Sequence, residues 1–286
     1  MRIVVTGASG AIGRHVVAEL VARGHEVHAV DRVVGPARVA GSGIALTVGD
    51  VRDPEFMASV LHATRPEALN HHAAIARPSL GTPLEVFATN TQATFVVLEA
   101  AGTAGVRRIA IASSTSALGM VFASPRVSPR YVPVDETHPF VGTDPYGLSK
   151  QVDEATAATM SRRHGYQVVA LRIPNTGPME AQLARAAEVA GDPSDLAREL
   201  WAYLDVRDGA RAFALAVERD LPGCHVINVM APDTLSPEPT ADLLARFHPT
   251  SELRRPIVGR EVPFDLARSR DVLGFDAIHR LSISRV

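Results

Sequence analysis

The sequence predicts an α/β fold in which a parallel sheet is covered by helices on both faces. Three observations carry this prediction. Short β-branched runs alternate with amphipathic helical patterns over residues 1–174. A glycine-rich turn joins the first run to the first helical pattern. The chain of 286 residues is long enough for one large domain, or for a domain with a smaller appendage. Strand–helix alternation requires right-handed crossovers, which produce parallel strands.

The N-terminal part alternates strand-like and helix-like segments in a regular order. Ile3, Val4 and Val5 form the first apolar run, and Val16 and Leu20 illustrate the helical spacing that follows. The predicted strands are 3–5, 27–30, 44–48, 68–74, 108–112 and 168–173, and the predicted helices are 11–23, 54–63, 84–101 and 145–163. Beyond residue 174 the sequence predicts helices near 180–190, 195–201 and 206–218, and a strand at 226–230.

Two proline-rich segments interrupt the alternation of strands and helices, one before and one after the sixth predicted strand. Residues 231–263 contain six prolines, and a second proline-rich loop covers 124–139. Such a density of proline predicts turns and short elements. A loop as long as 124–139 within a compact domain is more often a functional cover than an idle connection.

Composition excludes several classes of protein. Hydrophobic residues make up 46% of the chain, and the formal net charge is −2. A disordered chain is less apolar, and a binder of nucleic acid or anionic membranes usually carries excess positive charge. The single cysteine, Cys224, excludes an intramolecular disulfide and a multi-cysteine metal site, and we predict no metal. The N-terminal residues lack the pattern of a signal peptide, and no apolar run reaches the roughly 20 residues that span a bilayer. We expect a cytoplasmic protein with a small-molecule substrate and no nucleic-acid or membrane partner.

The glycine turn after the first predicted strand has the properties of a dinucleotide site. Gly7 permits a tight turn, Gly10 allows the backbone to approach a pyrophosphate, and Gly13 allows close packing of helix and sheet. The N-terminus of the following helix offers N–H groups to the phosphates. The sequence therefore predicts a cofactor-binding turn made of Gly7, Ser9, Gly10, Ala11, Ile12 and Gly13.

An acidic residue at the end of the second predicted strand favours NAD over NADP. Asp31 is placed to accept hydrogen bonds from the adenosine ribose hydroxyls and would repel a 2′-phosphate. The adjacent Arg32 is a possible partner for that phosphate, so NADP remains the less favoured alternative. Asp50 and Val51 follow the third predicted strand and are expected near the adenine.

Tyr146 and Lys150 form the predicted chemical pair. Residues four apart share one face of a helix, so the phenol and the ammonium point the same way. A free phenol is a poor acid–base group at neutral pH, and a nearby lysine favours its ionised form. The phenol then takes a proton from an alcohol or returns it to a ketone. The fifth predicted strand ends in four hydroxyl residues, 113–116, at the sheet edge where such folds bind ligands.

These segments together resemble the extended short-chain dehydrogenase/reductase superfamily, of the NAD-dependent epimerase/dehydratase type. The motifs that carry the resemblance are TGASGAIG at 6–13, Asp31, GDVRD at 49–53, HHAA at 71–74, Asn90 in NTQAT, ASSTSALG at 112–119, YGLSK at 146–150, LRIPNTGP at 171–178, YLDVRDGARA at 203–212 and FDLARSRDVLGF at 264–275. The resemblance implies a Rossmann-type doubly wound parallel sheet with a small C-terminal substrate-binding domain. It assigns 1–174 and about 203–230 to the NAD-binding domain, and about 175–202 and 231–286 to the substrate-binding part.

The resemblance also implies roles for individual residues. Tyr146 becomes the acid/base, Lys150 its partner and Ser114 the group that orients the substrate oxygen. Further positions near the cofactor are His71, Ala73, Ala74, Asn90, Lys150 and Ile173, and positions near the substrate are Ala76, Arg77, Ser114, Thr115, Ser116, Tyr146, Asn175 and Arg185. Asn90 alternatively has only a structural role. Arg185 or Arg198 would bind a substrate carboxylate, unless each is a surface arginine. His71 and His72 point to opposite faces of a strand, which favours packing over binding one ion.

The reaction is narrowed by departures from the family pattern. Thr115 and Ser116 stand where 4,6-dehydratases of sugar nucleotides carry an Asp-Glu pair, which disfavours elimination. The segment from Pro178 to Asp205 is shorter than in most nucleotide-sugar epimerases, and the layout is most similar to uronate dehydrogenase-like members. The leading hypothesis is an NAD-dependent oxidoreductase. It would transfer a hydride between NAD and the carbinol or carbonyl carbon of a small sugar-like substrate, such as a uronic acid.

Two alternatives stay open. The first is a nucleotide-sugar epimerase with tightly bound NAD, and the second is a non-catalytic NAD-sensing regulator. Resemblance further implies a homodimer, held through helices 84–104 and 145–163.

Overall fold

A seven-stranded parallel sheet forms the centre of the computed structural model, which describes residues 1–32, Val39 and 43–282. The strands are β1 (Arg2–Thr6), β2 (Glu26–Asp31), β3 (Leu46–Val48), β4 (Ala68–His71), β5 (Arg108–Ser114), β6 (Tyr131–Val132), β7 (Gln167–Ile173), β8 (Thr176–Gly177), β9 (Leu204–Asp205), β10 (Cys224–Asn228) and β11 (Glu252–Leu253). Their order in the main sheet is β10-β7-β5-β4-β1-β2-β3. β6 pairs with β11, and β8 with β9, in two small parallel ladders.

Helices cover both faces of the sheet, as the sequence predicts. They are α1 (Gly13–Ala22), α2 (Pro54–Thr64), α3 (Pro83–Thr103), α4 (Pro145–His164), α5 (Met179–Gly191), α6 (Val206–Glu218) and α7 (Thr240–Phe247). Alternate residues of β1 point to opposite faces. Val5 packs in a cluster with α1 and α6, and Val4 packs in a cluster with α2, α3 and α4. This two-sided burial confirms the doubly wound α/β prediction.

Local capping fixes where the site-bearing helix begins. Pro145 occupies its first turn, and the Asp144 carboxylate accepts a hydrogen bond from Gly147 N at 2.7 Å. This arrangement satisfies one of the free N–H groups at a helix start. Tyr146 therefore lies in the first turn of α4, directly beside the carboxyl edge of the sheet.

Two predicted elements differ from the structure for physical reasons. The fourth strand ends at His71 instead of continuing to residue 74, because the chain after His71 turns to face the glycine turn. The predicted helix 195–201 is reduced to a 3-10 turn at Ala197–Glu199. Leu200 and Trp201 adopt left-handed φ angles of 53° and 55°, which end any helix. The buried Trp201 indole donates to the Pro193 carbonyl at 2.7 Å and holds this turn.

The short ladders were not predicted, because two-residue strands leave no periodic signal. α7 lies in the proline-rich segment 231–263, for which the sequence predicted only turns and short elements. The main sheet draws its strands from residues 2–228. The division into an NAD-binding domain and a substrate-binding part stays a prediction. Within the described residues, no helix has the length and apolar character needed to cross a membrane.

Candidate active site

A crevice at the carboxyl edge of the sheet contains most of the predicted site residues. It consists of two adjoining cavities of about 300 and 520 Å³ that share Gly7, Gly10, His72 and Ala74 in their walls. The crevice opens where the strand order reverses, between β4 and β1. This is where open parallel sheets bind their ligands.

The glycine turn packs so closely against its neighbours that Gly7 and Gly13 leave no room for a side chain. Gly7 has a φ of +66°, and a Cβ at this position would lie 2.6 Å from Ala73 N. A Cβ on Gly13 would lie 2.1 Å from the Gly7 carbonyl oxygen. Side chains at either position would push the turn away from its neighbours. The turn is thus a tight backbone cradle before the N-terminus of α1, and it fits a pyrophosphate.

Asp31 is held rigidly at the wall of the smaller cavity. Its carboxylate accepts hydrogen bonds from Ser9 N at 2.9 Å and from Arg32 N at 2.8 Å. Arg32, Asp50, Val51, Ala73 and Ala74 line the same cavity, as predicted for the adenosine half of a dinucleotide. The residues present therefore fit NAD, with Asp31 toward the ribose.

Arg52 is a further residue of this cavity that sequence reasoning missed. Its guanidinium binds the Asp50 carboxylate through a fork of hydrogen bonds at 2.5–3.0 Å. These bonds hold the pKa of Asp50 below its ordinary value. The sequence signal that could have revealed this pair is the two-residue spacing of Asp50 and Arg52 in the segment GDVRD.

The larger cavity contains the predicted chemical groups. Ser114, Tyr146 and Lys150 all line it. Lys150 is only 5% exposed, and its ammonium lies 5.9 Å from the centre of the Tyr146 ring. It donates to the Ala112 carbonyl at 3.0 Å and to the Asp153 carboxylate at 3.1 Å. Burial opposes its charge, but Asp153, Tyr146 and Glu154 outweigh burial and raise the pKa of Lys150.

The four hydroxyls after β5 have different environments. Ser113 donates to the buried Glu154 carboxylate at 2.6 Å, so its hydroxyl is already engaged. Ser114 caps the following turn by accepting from Ser116 N at 3.1 Å, while also lining the cavity beside Tyr146. Thr115 and Ser116 are largely buried, and both line the larger cavity together with Ser114. Ser114 is thus suited to contact a bound hydroxyl.

The predicted substrate positions are brought together, with one exception. Ala76, Arg77, Thr115, Ser116 and Asn175 line the larger cavity, as do Ala11, Ile12 and Ile173 of the predicted cofactor set. Arg185 does not line it. Its guanidinium pairs with Glu199 at 3.0 Å, and Glu199 lines the cavity instead. A partner fourteen positions away leaves no signal in local spacing, so neither the pair nor Glu199 was found from the sequence.

Two predicted cofactor residues lie behind the crevice. His71 is 4% exposed and shares a 2.7 Å hydrogen bond with the Thr6 hydroxyl. The adjacent His72 lines both cavities in its place. Asn90 accepts from Ile75 N at 2.7 Å and donates to the Ile75 carbonyl and the Ser149 hydroxyl, both at 3.1 Å. These contacts tie the loop after β4 to α3 and α4, which favours the structural alternative for Asn90.

A doubly wound parallel sheet, a glycine cradle, an acidic residue after β2 and a Tyr–Lys pair on one helix define the extended short-chain dehydrogenase/reductase class. Within this class, the chain belongs to the NAD-dependent epimerase/dehydratase family, whose model matches residues 3–229. The family depends on NAD, which confirms the predicted cofactor.

Named relatives are similar to this chain over different lengths. A UDP-glucose 4-epimerase of Lacticaseibacillus casei is 33% identical to this chain over a match that covers 61% of this chain. The same match covers about half (51%) of that protein. A UDP-glucose 4-epimerase of Streptomyces lividans is 28% identical over 91% of this chain and 85% of that protein. The Thermus thermophilus UDP-glucose 4-epimerase in complex with NAD is 25% identical, with a TM-score of 0.70, and the match covers 98% of this chain and 95% of that one.

Proposed function

We propose that this chain is an NAD-dependent epimerase that acts on a nucleotide sugar. The observation that carries the proposal is that Tyr146, Lys150 and Ser114 line a cavity adjoining the glycine cradle. The similarity to proteins named UDP-glucose 4-epimerase supports epimerisation as the reaction and a UDP-sugar as the substrate class. The leading hypothesis from the sequence was net oxidation of a small sugar. We replace it by the first alternative named there, a nucleotide-sugar epimerase.

Each residue of the set has a separate task. Tyr146 takes the proton of the sugar hydroxyl and returns it to the carbonyl oxygen. Lys150 contributes a fixed positive charge beside the phenol, which favours its ionised form. The Ser114 hydroxyl orients the reacting oxygen toward Tyr146. When bound, NAD supplies the chemistry of accepting a hydride from the carbinol carbon and giving it back.

One residue predicted to bind a uronate carboxylate is engaged elsewhere. Arg185 does not line the larger cavity, and its guanidinium pairs with Glu199 at 3.0 Å. The uronic acid hypothesis therefore loses one of the two arginines offered for the substrate carboxylate, whereas a neutral sugar ring needs no such cation.

A net dehydrogenase of a small neutral sugar is the second candidate. The observation that favours it is the small size of the segment between β8 and β9, which holds only α5 and one 3-10 turn. A segment of this size provides little surface for contacts with a nucleotide, and a free sugar does not need those contacts. The two candidates differ in whether NADH accumulates.

The proposal is tested by incubating the purified protein with NAD and UDP-galactose or UDP-glucose and separating the products. We expect conversion to the C4 epimer without a lasting rise in absorbance at 340 nm. Tyr146→Phe should lose about 10²- to 10⁴-fold in kcat, the usual contribution of an acid–base group. The matched control is Tyr131→Phe, which removes a hydroxyl that binds Asp135 at 2.8 Å and does not line the crevice. Steady NADH formation, or full activity of Tyr146→Phe, would contradict the proposal.

A further inference from the structure

A buried carboxylate stands directly behind Lys150. Asp153 follows Lys150 by one helical turn, is 2% exposed, and accepts a hydrogen bond from the ammonium at 3.1 Å. The Ala112 carbonyl accepts a second bond from the same ammonium at 3.0 Å. An ammonium has three N–H donors, so these two acceptors fix its direction and leave one donor for a bound ligand.

The groups around Asp153 come from four elements, α4, β7, α3 and β4. On α4 itself, Lys150 is its ion-pair partner, and Glu154 is held by Arg172 of β7 in a fork at 2.7 and 2.8 Å. Thr94 of α3 faces the Asp153 carboxylate; burial raises the pKa of Asp153, while Lys150 and Thr94 act in the opposite direction. His71 of β4 lies beyond Thr94, with a 3.5 Å contact between the imidazole and the Thr94 hydroxyl. Burial, with a contribution from Lys150, lowers the pKa of His71 to about 3, so this imidazole is neutral near pH 7.

The charge balance behind the phenol therefore depends on one residue. His72 is also neutral near pH 7, since burial lowers its pKa to about 3. Glu154 is neutralised by Arg172, which leaves Asp153 as the carboxylate that hydrogen-bonds Lys150 among the described residues. A lysine alone promotes ionisation of a neighbouring phenol, whereas a lysine paired with a carboxylate promotes it less.

We propose that Asp153 is a positioning residue that orients the Lys150 ammonium and, through it, limits how strongly Lys150 promotes ionisation of Tyr146. This inference rests on the acid–base role of Tyr146 in the proposed function. It gives Asp153 a role in orienting Lys150 that goes beyond the Tyr146–Lys150 pair itself. Asp153 sets the pH range in which the phenol gives up its proton.

The test uses tyrosinate absorbance at 295 nm, recorded after rapid pH jumps on the full chain without substrate. Burial raises the pKa of Tyr166 and Tyr203, which keeps both out of the range measured. Subtracting the titration of the Tyr146→Phe variant from that of wild type isolates the Tyr146 component. The Asp153→Asn titration is compared in the same way with the Asp153→Asn/Tyr146→Phe double variant.

We expect the Tyr146 component of Asp153→Asn to titrate about 1 pH unit lower than in wild type, the size of effect that one neighbouring charge produces. The matched control is Glu188→Gln, which removes one carboxylate from an exposed position on α5 and should leave the midpoint in place. If Asp153→Asn does not fold, Asp153→Ser removes the same charge with a smaller polar side chain and carries the same expectation. A midpoint that stays fixed or rises in a folded variant would overturn the inference.

The outcome is separable from that of the proposed function. A shifted midpoint in a protein without epimerase activity supports the role of Asp153 and rejects the proposed reaction. An active epimerase with an unmoved midpoint rejects the role of Asp153 alone. A purely structural role would lower the melting temperature of Asp153→Asn without moving the midpoint.

Discussion

Asp31 is held by two backbone N–H groups, those of Ser9 and Arg32. These bonds fix the carboxylate at the wall of the cavity that fits the adenosine half of NAD, where a ribose binds in folds of this kind. A 2′-phosphate would bring negative charge against the same carboxylate. We therefore expect the preference for NAD over NADP to depend on the side chain of Asp31.

Asp31→Ala should weaken NAD binding about 10-fold and narrow the preference for NAD over NADP. The lost hydrogen bonds to a charged group account for the first effect, and removal of repulsion beside Arg32 accounts for the second. Calorimetric titration of both dinucleotides measures the two affinities. Glu26→Gln, at the opposite end of β2, is the control. An unchanged ratio of the two affinities would speak against this role of Asp31.

The structure brings together those predicted site residues that are close in the sequence, and their roles stay predictions. The glycine turn, Asp31 and the Tyr146–Lys150 pair are each defined within a few positions or one helical turn. Arg185 was misjudged because its partner Glu199 belongs to another element. His71 was placed at the cofactor, yet His72 faces the crevice, because the strand ends at His71 and the chain then changes direction.

At the scale of elements, Asn90 connects a loop to two helices. Its side chain satisfies both backbone groups of Ile75 and reaches Ser149 on α4. The loop after β4 forms part of the wall of both cavities. The position of this wall therefore depends on one amide on α3.

Asn90→Ala should lower the free energy of unfolding by about 1–3 kcal/mol, because it leaves both half-buried backbone groups of Ile75 without their side-chain partner. Urea denaturation checks the value. Since the loop that Asn90 fixes lines the crevice, NAD affinity should fall as well. Gln92→Ala, on the same helix and partly exposed, is the matched control. A stability equal to wild type would show that Asn90 does not hold the loop.

Elements were predictable in proportion to their length. The predicted bounds of α2, α3, α4 and α6 lie within two residues of those in the structure. Within the main sheet, β1 and β7 are short runs rich in β-branched residues. The ladders β6–β11 and β8–β9 contain two residues per strand and depend on contacts distant in sequence. No local pattern encodes them.

At the scale of the whole molecule, an ion pair buried beneath the site links the sheet to its surroundings. Arg172 on β7 and Glu154 on α4 are 3% and 7% exposed. Arg172 also donates to the Glu136 carbonyl at 3.2 Å, and the Glu136 carboxylate accepts from Asn228 N at 2.9 Å. The pair therefore joins α4, β7, β10 and the loop after β6.

Glu154→Gln should destabilise the fold by about 3–5 kcal/mol, because it leaves the Arg172 guanidinium buried without a counter-charge. Thermal and urea unfolding measure this loss. Glu99→Gln removes the charge of a half-buried carboxylate that pairs with the exposed Arg163 and with His164, and it serves as the control, with an expected loss of less than about 1 kcal/mol. Equal effects of the two variants would contradict the importance of the buried pair.

The buried imidazole of His71 makes stability depend on pH. Burial lowers its pKa to about 3, below the ordinary value of 6.5. Between these values the unfolded chain takes up a proton that the folded chain refuses. The free energy of unfolding should thus fall as pH drops below about 6.5, by up to about 1.4 kcal/mol per pH unit for this group.

Urea denaturation between pH 7 and pH 4 measures this slope. His71→Gln should reduce the slope, whatever its effect on stability at neutral pH. His62→Gln, at an exposed position on α2, is the control and should keep the wild-type slope. A slope unchanged in His71→Gln would assign the acid sensitivity to other groups; a reduced slope is expected to remain, because burial also lowers the pKa of His72 to about 3.

The division into two domains and the homodimer stay predictions at this scale. Both the domain division and the homodimer were inferred only from the resemblance of the sequence motifs to the family. The family, the doubly wound sheet and the dependence on NAD were predictable because ordered motifs cover most of the chain. The choice between epimerisation and net oxidation was not, because it depends on the shape and charge of a cavity assembled from distant segments.

The most direct test of the proposed reaction is the fate of the hydrogen on the reacting carbon. UDP-galactose carrying deuterium at C4 is converted by the purified protein in the presence of unlabelled NAD, and the product is analysed by mass spectrometry. We expect UDP-glucose that retains the deuterium, because an epimerase removes and returns the same hydride within one site. Deuterium lost from the sugar and recovered in free reduced cofactor would contradict epimerisation and establish net oxidation.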